Sequence, residues 1–192
     1  MGFISKSGYY MNFETEISPV KITLIQRAEF LSLYVSIISE HKTFEQQLIE
    51  ISQAQRQVED EANKTTSIRV NSTQNRLNSS SSSVGLRLIT PLSGETDDFF
   101  TGAIALHKFA ENLKPTGKAK YSVSYLRLGV NNTEAYRETI LTMISEDINQ
   151  TKKLLGSNGK VRVSGLENPV SISQKDTQCV NLFIKYSMFI EV

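Results

Sequence analysis

The apolar positions of this chain change their period repeatedly, and each change predicts a different element. From about Arg27 to Asn63, Phe30, Ile37, Phe44, Ile51 and Val58 recur every seven residues, and Tyr34, His41, Leu48, Gln55 and Ala62 fill the seam between them. That spacing is the signature of a helix with one apolar stripe. It predicts a long N-terminal helix, roughly 50 Å from end to end at 1.5 Å per residue, with one end projecting from the body. Leu31, Leu33, Val35, Ile38 and Ile49 lie off the stripe, whereas Ser52–Asn63 is mostly polar. Before it, Ser18-Pro19 reads as a helix start. Val20, Ile22 and Leu24 alternate as a short strand would. Residues 1–17 read as a polar arm, with Phe3, Ile4, Tyr9, Tyr10 and Phe13 as possible anchors.

Period two takes over from residue 65. Ile68 and Val70, then Val84, Leu86 and Leu88, alternate with polar neighbours, and five serines, Ser79–Ser83, stand between the two runs. The pattern predicts a β-ribbon over 65–92 with a flexible, serine-rich tip, because serine runs bury too little area to offset ordering entropy; a simple linker between a helical arm and a C-terminal domain is the alternative. Thr96-Asp97-Asp98 marks a helix start. The stripe Phe99, Ala103, Leu106, Ala110 and Leu113 follows, and Pro115-Thr116-Gly117 ends it. Lys118–Val130 reads as a strand with Tyr121, Val123 and Tyr125 on one face. The apolar phase then shifts to Leu126, Leu128 and Val130, which predicts a bulge or burial on both sides. Asn131-Asn132-Thr133 opens a further helix with Tyr136, Ile140, Met143, Ile144, Ile148 and Leu155 on its buried face; Lys152, Lys153 and Gly156 close it. Lys160–Ser164 and Val170–Ser173 are short segments expected to pair. Finally, Val180, Leu182, Ile184, Tyr186, Met188, Ile190 and Val192 alternate over 13 residues. This predicts one strand about twice the usual length, with Phe183 and Phe189 on its other face wanting cover.

The expected fold is therefore α+β: a mostly antiparallel sheet with a long C-terminal strand packed on two helices, plus the long N-terminal helix. The expected organisation is an arm over 1–17, a helical region over 18–64, the ribbon over 65–92 and an α+β core over 93–192, all within one structural domain.

Composition narrows the function classes. Hydrophobic residues make up 39% of the 192, enough for a core. Twenty-one basic and 20 acidic residues give a net charge of +1, which sets up no chain-wide field for nucleic acid or anionic lipid. One cysteine, Cys179, rules out an intrachain disulfide. The start lacks the apolar run of a signal peptide, and no segment is apolar for the length of a membrane span. These features predict a cytoplasmic or virion protein that neither enters a membrane nor is secreted through a signal peptide. Asn-x-Ser/Thr triplets at Asn63, Asn71, Asn78, Asn131 and Asn149 read as ordinary polar surface in a chain rich in those residues.

No motif carries catalysis. His41 and His107 stand alone without a second ligand at helical spacing, so no zinc set is expected. Cys179 has Asp176 nearby but no base placed to make a thiolate. Gly-x-Ser-x-Gly, Gly-x-Gly-x-x-Gly and Walker motifs are absent. Asp97 and Asp98 diverge by about 100° on a helix, and capping explains them. Arg69, Arg76 and Arg87 flank the serine loop and could contact phosphate, though a solvated ribbon accounts for them too. The tyrosines interleaved with bases over Tyr121–Arg127 are expected on buried strand faces rather than against nucleobases. No enzyme, cofactor or metal is predicted.

The favoured expectation is a structural subunit that self-associates or joins other structural proteins. The contact residues would be Phe3, Tyr9 and Tyr10 of the arm, Phe44, Leu48 and Ile51 of the helical seam, Arg69, Arg76 and Arg87 of the ribbon, and Phe183 and Phe189 of the last strand. Long strand edges call for partners. The order of elements over Lys118–Val192, a strand leading into a helix and a long alternating strand closing the chain, loosely resembles that of small phage tail-terminator and head–tail joining proteins. The likeness lies in ordering alone, with no specific motif, and implies a virion component as one form of the assembly role. The alternative expectations are a small protein- or ligand-binding adaptor, and then an enzyme with an unfamiliar site.

Overall fold

A computed structural model of the chain describes residues 22–95, 98–114, 117–155 and 160–191. Phe3, Tyr9, Tyr10, the Ser18-Pro19 helix start and the Thr96-Asp97 signal lie outside the described residues. The chain is α+β, with antiparallel pairing in its sheets. It divides into two compact units: Ile25–Asn131 with Ser173–Val180, and Asn132–Ile172 with Asn181–Val192 and the described residues up to Leu24.

The first unit corrects the long N-terminal helix. Residues 24–27 and 30–39 are strands, β1 (Leu24–Arg27) and β2 (Phe30–Ser39), and of the stretch read as one helix only Phe44–Asn63 is helical, as α1. β2 is a central strand that pairs on both sides, so its apolar residues run almost without interruption. Its phenylalanine and β-branched residues suit a strand better than a helix. The seven-residue spacing from Phe30 to Ile37 is a coincidence of parity, since an odd spacing puts those two residues on opposite faces of a strand. In α1 the stripe is real but internal. Ile51, Ala54, Val58 and Ala62 are buried, and α1 packs on the sheet through β2, β3 (Arg69–Arg76) and β4 (Ser82–Pro91).

The hairpin follows: β3 (Arg69–Arg76) pairs with β4 (Ser82–Pro91), then come α2 (Asp98–Asn112) and β5 (Lys120–Gly129). The sheet order is β3-β4-β2-β5. Strand, helix, strand, strand, helix, strand, with the first strand between the third and fourth, is the split βαβ arrangement. Leu31, Leu33, Val35 and Ile37 of β2 meet Val84, Leu86 and Leu88 of β4 in one apolar layer. The helices cover that layer. Gly102 of α2 sits so close that an added Cβ would press on Thr90 and Leu31, and Tyr121 of β5 donates its hydroxyl to the Ala54 carbonyl of α1 at 3.3 Å.

Two buried polar groups tie the helical layer to the strands. Glu50 of α1 accepts from Ser39 Oγ at 2.6 Å and from the Lys118 N–H at 3.2 Å. Gln47 donates to the His41 carbonyl at 2.7 Å and the Ser79 carbonyl at 3.3 Å, and accepts from Ser82 Oγ at 2.8 Å. The serine run is thus bonded into the fold. Asn78 Oδ1 adds a turn by accepting from the Ser80 and Ser81 N–H groups.

In the second unit a 3-10 turn (Thr133–Tyr136) leads into α3 (Arg137–Leu155), and β6 (Lys160–Ser164) pairs antiparallel with β9 (Ser187–Glu191). Ile140 and Ile144 are its buried helical residues. Asn132 stands at the N-cap position but makes no side-chain cap hydrogen bond. Arg137 binds Glu134 at 2.7 Å and donates to the Leu166 and Asn168 carbonyls at 2.9 and 2.6 Å, which fixes the turn after β6.

The single C-terminal strand is also corrected. Burial does recur at Val180, Leu182, Ile184, Tyr186 and Met188, with Phe183 buried as well. The pairing is nevertheless broken into β8 (Cys179–Phe183) and β9 (Ser187–Glu191), since the Lys185 carbonyl turns to accept from Asn168 Nδ2 at 2.7 Å. Nor do the two short segments before it pair with each other. β7 (Ser171–Gln174) joins a sheet of order β1-β8-β7, and β6 takes β9.

Candidate functional site, a basic sheet face

The four strands β2, β3, β4 and β5 contain five basic residues, Arg69, Arg76, Arg87, Lys120 and Arg127, and no acidic one. Register decides where they point. Arg87 lies opposite Tyr34, Arg127 opposite Ser32 and Lys120 opposite Ile38. Arg69 lies opposite Ile89 and Arg76 opposite Ser83. Each of those partners belongs to the set that alternates with the buried layer. All five bases therefore fall on the face turned away from α1 and α2. The acids of this unit's helices are gathered on the other side, with Glu45, Glu50, Glu59, Asp60 and Glu61 against Arg56 in α1. Within this unit the sheet face is thus basic while α1 is acidic, which the overall balance of +1 hid.

Two bulges shape the face. On β5 the register against β2 shifts between Leu33 and Val35, so Ser124 and Tyr125 together oppose Tyr34. The extra residue turns Tyr125 onto the basic face, where its ring stacks on that of Tyr34 with centroids 4.7 Å apart and planes at 27°. Tyr125 remains 54% exposed. This corrects the expectation that Tyr121 and Tyr125 share a buried face; only Tyr121 is held against α1. On β3 the register shifts between Ser72 and Asn75. There Thr73 folds over Gly85, and a Cβ on Gly85 would collide with Thr73 Oγ1. Between the bulges lies a groove of about 760 Å³, floored by Ser36 and Gly85 and walled by Gln74, Asn75 and Arg76 on one side and Tyr34 and Tyr125 on the other.

Beyond the groove, Phe30 lies across Gly129, with the Arg87 guanidinium carbon 5.6 Å from its ring centroid. The Arg87 Nε is buried and has no hydrogen-bond partner among the described residues. Lys120 reaches Glu40 at 3.4 Å, an exposed pair at the sheet margin.

The remaining residues singled out in the sequence are dispersed. On α1, Phe44 is 42% exposed, Leu48 half-buried and Ile51 in the core. Phe183 of β8 is buried and Phe189 of β9 half-buried. Of the candidates, only the three arginines are brought together on the face. Tyr34, Gly85 and Tyr125 were missed as site residues. The phase shift in β5 was the one signal that could have found Tyr125.

Elsewhere the polar geometry is that of turns. Asp176 Oδ1 accepts from the Gln178 and Cys179 N–H groups at 2.8 and 2.7 Å. Those bonds hold its carboxyl below the ordinary range, and tie it to the Cys179 backbone. Burial pushes the Asp98 carboxyl up, but donors from Ser93, Gly94 and Glu95 together hold it low. Among the described residues no group of three His, Cys, Asp or Glu gathers that could hold a metal ion, and no helix is long and apolar enough to cross a membrane. In comparisons with known proteins, no family model matches the chain and no curated protein is significantly similar to it.

Proposed function

We propose that the chain is a non-enzymatic binding module whose working surface is the basic face of the β3-β4-β2-β5 sheet. One observation carries the reading: five basic side chains and no acidic one project from the four strands, all to the face the helices leave uncovered. An ordinary solvated sheet face mixes both signs, because like charges on neighbouring strands repel. Lys120 meets Glu40 at the margin, whereas the arginines of β3 and β4 have no acidic residue on their strands and call for a negatively charged partner. Arg69, Arg76 and Arg87 form no ion pair among the described residues, so they remain available to one.

Heparin affinity tests this. At net charge +1 the whole protein has little general attraction for the matrix. The wild type should be retained and elute only with added salt. R69S/R76S should elute markedly earlier, whereas K152S/K153S, which removes the same charge from the last turn of α3, should elute with the wild type. Flow-through of the wild type, or equal shifts for both variants, would overturn the reading.

A second reading, the assembly subunit, including a phage virion component, is favoured by a different observation. Phe100 and Ile104, one turn apart on α2, are 59% and 56% exposed. Its original support is weaker, because the unbroken C-terminal strand is absent and both edges of the four-stranded sheet carry bulges, which discourage edge-to-edge pairing. Light scattering separates the readings. A ring-sized particle dispersed by F100S/I104S supports assembly, and a monomer at high concentration removes it.

A further inference from the structure

We propose that the groove on this face takes single-stranded nucleic acid, a base stacking on Tyr125 and backbone phosphates meeting Arg76 and Arg87. The proposal rests on the binding-face reading and deepens it by naming the partner.

Charge alone would suit any polyanion. The groove adds two further features. Tyr125 is a flat aromatic surface, more than half exposed and held in place by stacking on Tyr34. The opposite wall offers Gln74 and Arg76, whose amide and guanidinium groups can donate hydrogen bonds to base edges or phosphate oxygens. The missing side chain of Gly85 lets Thr73 and the Gln74 backbone pack down onto the sheet, and the groove volume of about 760 Å³ is within the range of ligand sites. Arg87 stands on the same face beyond the groove, its guanidinium carbon 5.6 Å from the Phe30 ring centroid. Stacking platforms beside cations are the means by which proteins hold unpaired strands without sequence readout. A duplex fits poorly, because its bases are stacked on one another and cannot reach a ring on the sheet. An acidic peptide would use the arginines and leave the tyrosine idle.

The test is fluorescence anisotropy with the full chain. The probes are a labelled mixed-sequence single strand of about 12 nucleotides, within the site sizes usual for such grooves, its duplex form, and poly-glutamate. The single strand should bind more tightly than either other probe. With Arg76 and Arg87 on phosphates, the logarithm of affinity should fall against that of salt concentration with a slope of about −1.4, roughly −0.7 per contact. R76S should flatten the slope by about 0.7. Y125A should weaken binding by about 5- to 150-fold, the effect of losing one stacked base, with the slope unchanged. Y125F should bind as the wild type does. Circular dichroism and melting of each variant establish that it is folded. Equal binding of the duplex, an unaffected Y125A, or binding of poly-glutamate without the oligonucleotide would overturn the nucleic-acid inference and leave the basic face as a site for another anion. Failure of all three probes to bind would overturn both.

Discussion

Tyr34 and Tyr125 stack at 4.7 Å on the sheet face away from the helices, although regular pairing of β5 would have placed Tyr125 against them. The residue inserted opposite Tyr34 converts what the chain's alternation marks as a core tyrosine into a surface one. A binding platform is thereby made from a strand that still lends Tyr121 and Leu128 to the helical side.

The stacked pair contributes little to folding. Aromatic pairs add about 0.5–1.5 kcal/mol beyond their buried area, and Tyr125 is more than half exposed. Y125A should therefore lower stability by about 1 kcal/mol in a urea titration, with an unchanged slope. A loss of several kcal/mol would mean that Tyr125 belongs to the core.

Gly85 is required by the β3 bulge. A methyl group there would meet Thr73 Oγ1 and approach the Gln74 carbonyl at 3.1 Å. G85A should cost about 1–3 kcal/mol, as overpacking does. Adding T73A should recover part of that loss, since the first collision is with the hydroxyl. A double-mutant cycle reads the coupling; strict additivity would show that the bulge is held elsewhere.

Gln47 is buried and uses both ends of its amide, donating to the His41 and Ser79 carbonyls and accepting from Ser82. Removing the donors strands two carbonyls, at about 1–3 kcal/mol for each buried group left unpaired. Q47A should be strongly destabilised. Q47E should be worse at neutral pH, because a carboxylate would face those carbonyls, and should recover partly in acid. Thermal melts at two pH values check this order.

Glu50 supplies an acid-sensitive link. The Ser39 hydroxyl bond, then the Lys118 N–H and nearby positive charge, hold its carboxyl below the ordinary 4.5 against the opposing effect of burial. A depressed folded value means that the unfolded chain binds the proton first. The contribution is thus fully present above pH 4.5 and is lost as pH falls through the lower, folded value. S39A should shrink that acid-dependent loss, and E50Q should abolish this residue's share of it. Urea midpoints measured from neutral pH into the acid range would show the difference. Parallel curves for wild type and E50Q would contradict the link.

Legibility in the sequence followed how cleanly each element separates its faces. α2 shows a stripe because one side is buried, as with Leu106 and Ala110. β4 alternates because Val84, Leu86 and Leu88 face the helices and Ser83, Gly85 and Arg87 do not. β2 resisted reading because Phe30, Ser32 and Ile38 are also covered or half-covered on its second side, which erased the period. In the C-terminal segment burial alternates past Lys185, but hydrogen-bond continuity is not encoded in burial. The three arginines of the ribbon could be picked out by charge. The tyrosine platform was signalled only by the phase shift in β5, because parity counted along the strand fails at the bulge by one residue.

The central claim is that the basic sheet face is the working surface. Amide chemical-shift mapping of isotope-labelled protein during titration with a short heparin fragment tests it directly. The account predicts shifts at Arg69, Arg76, Arg87 and Tyr125, with α1 and α2 unmoved. Shifts concentrated on the helices, or none on the sheet, would contradict it.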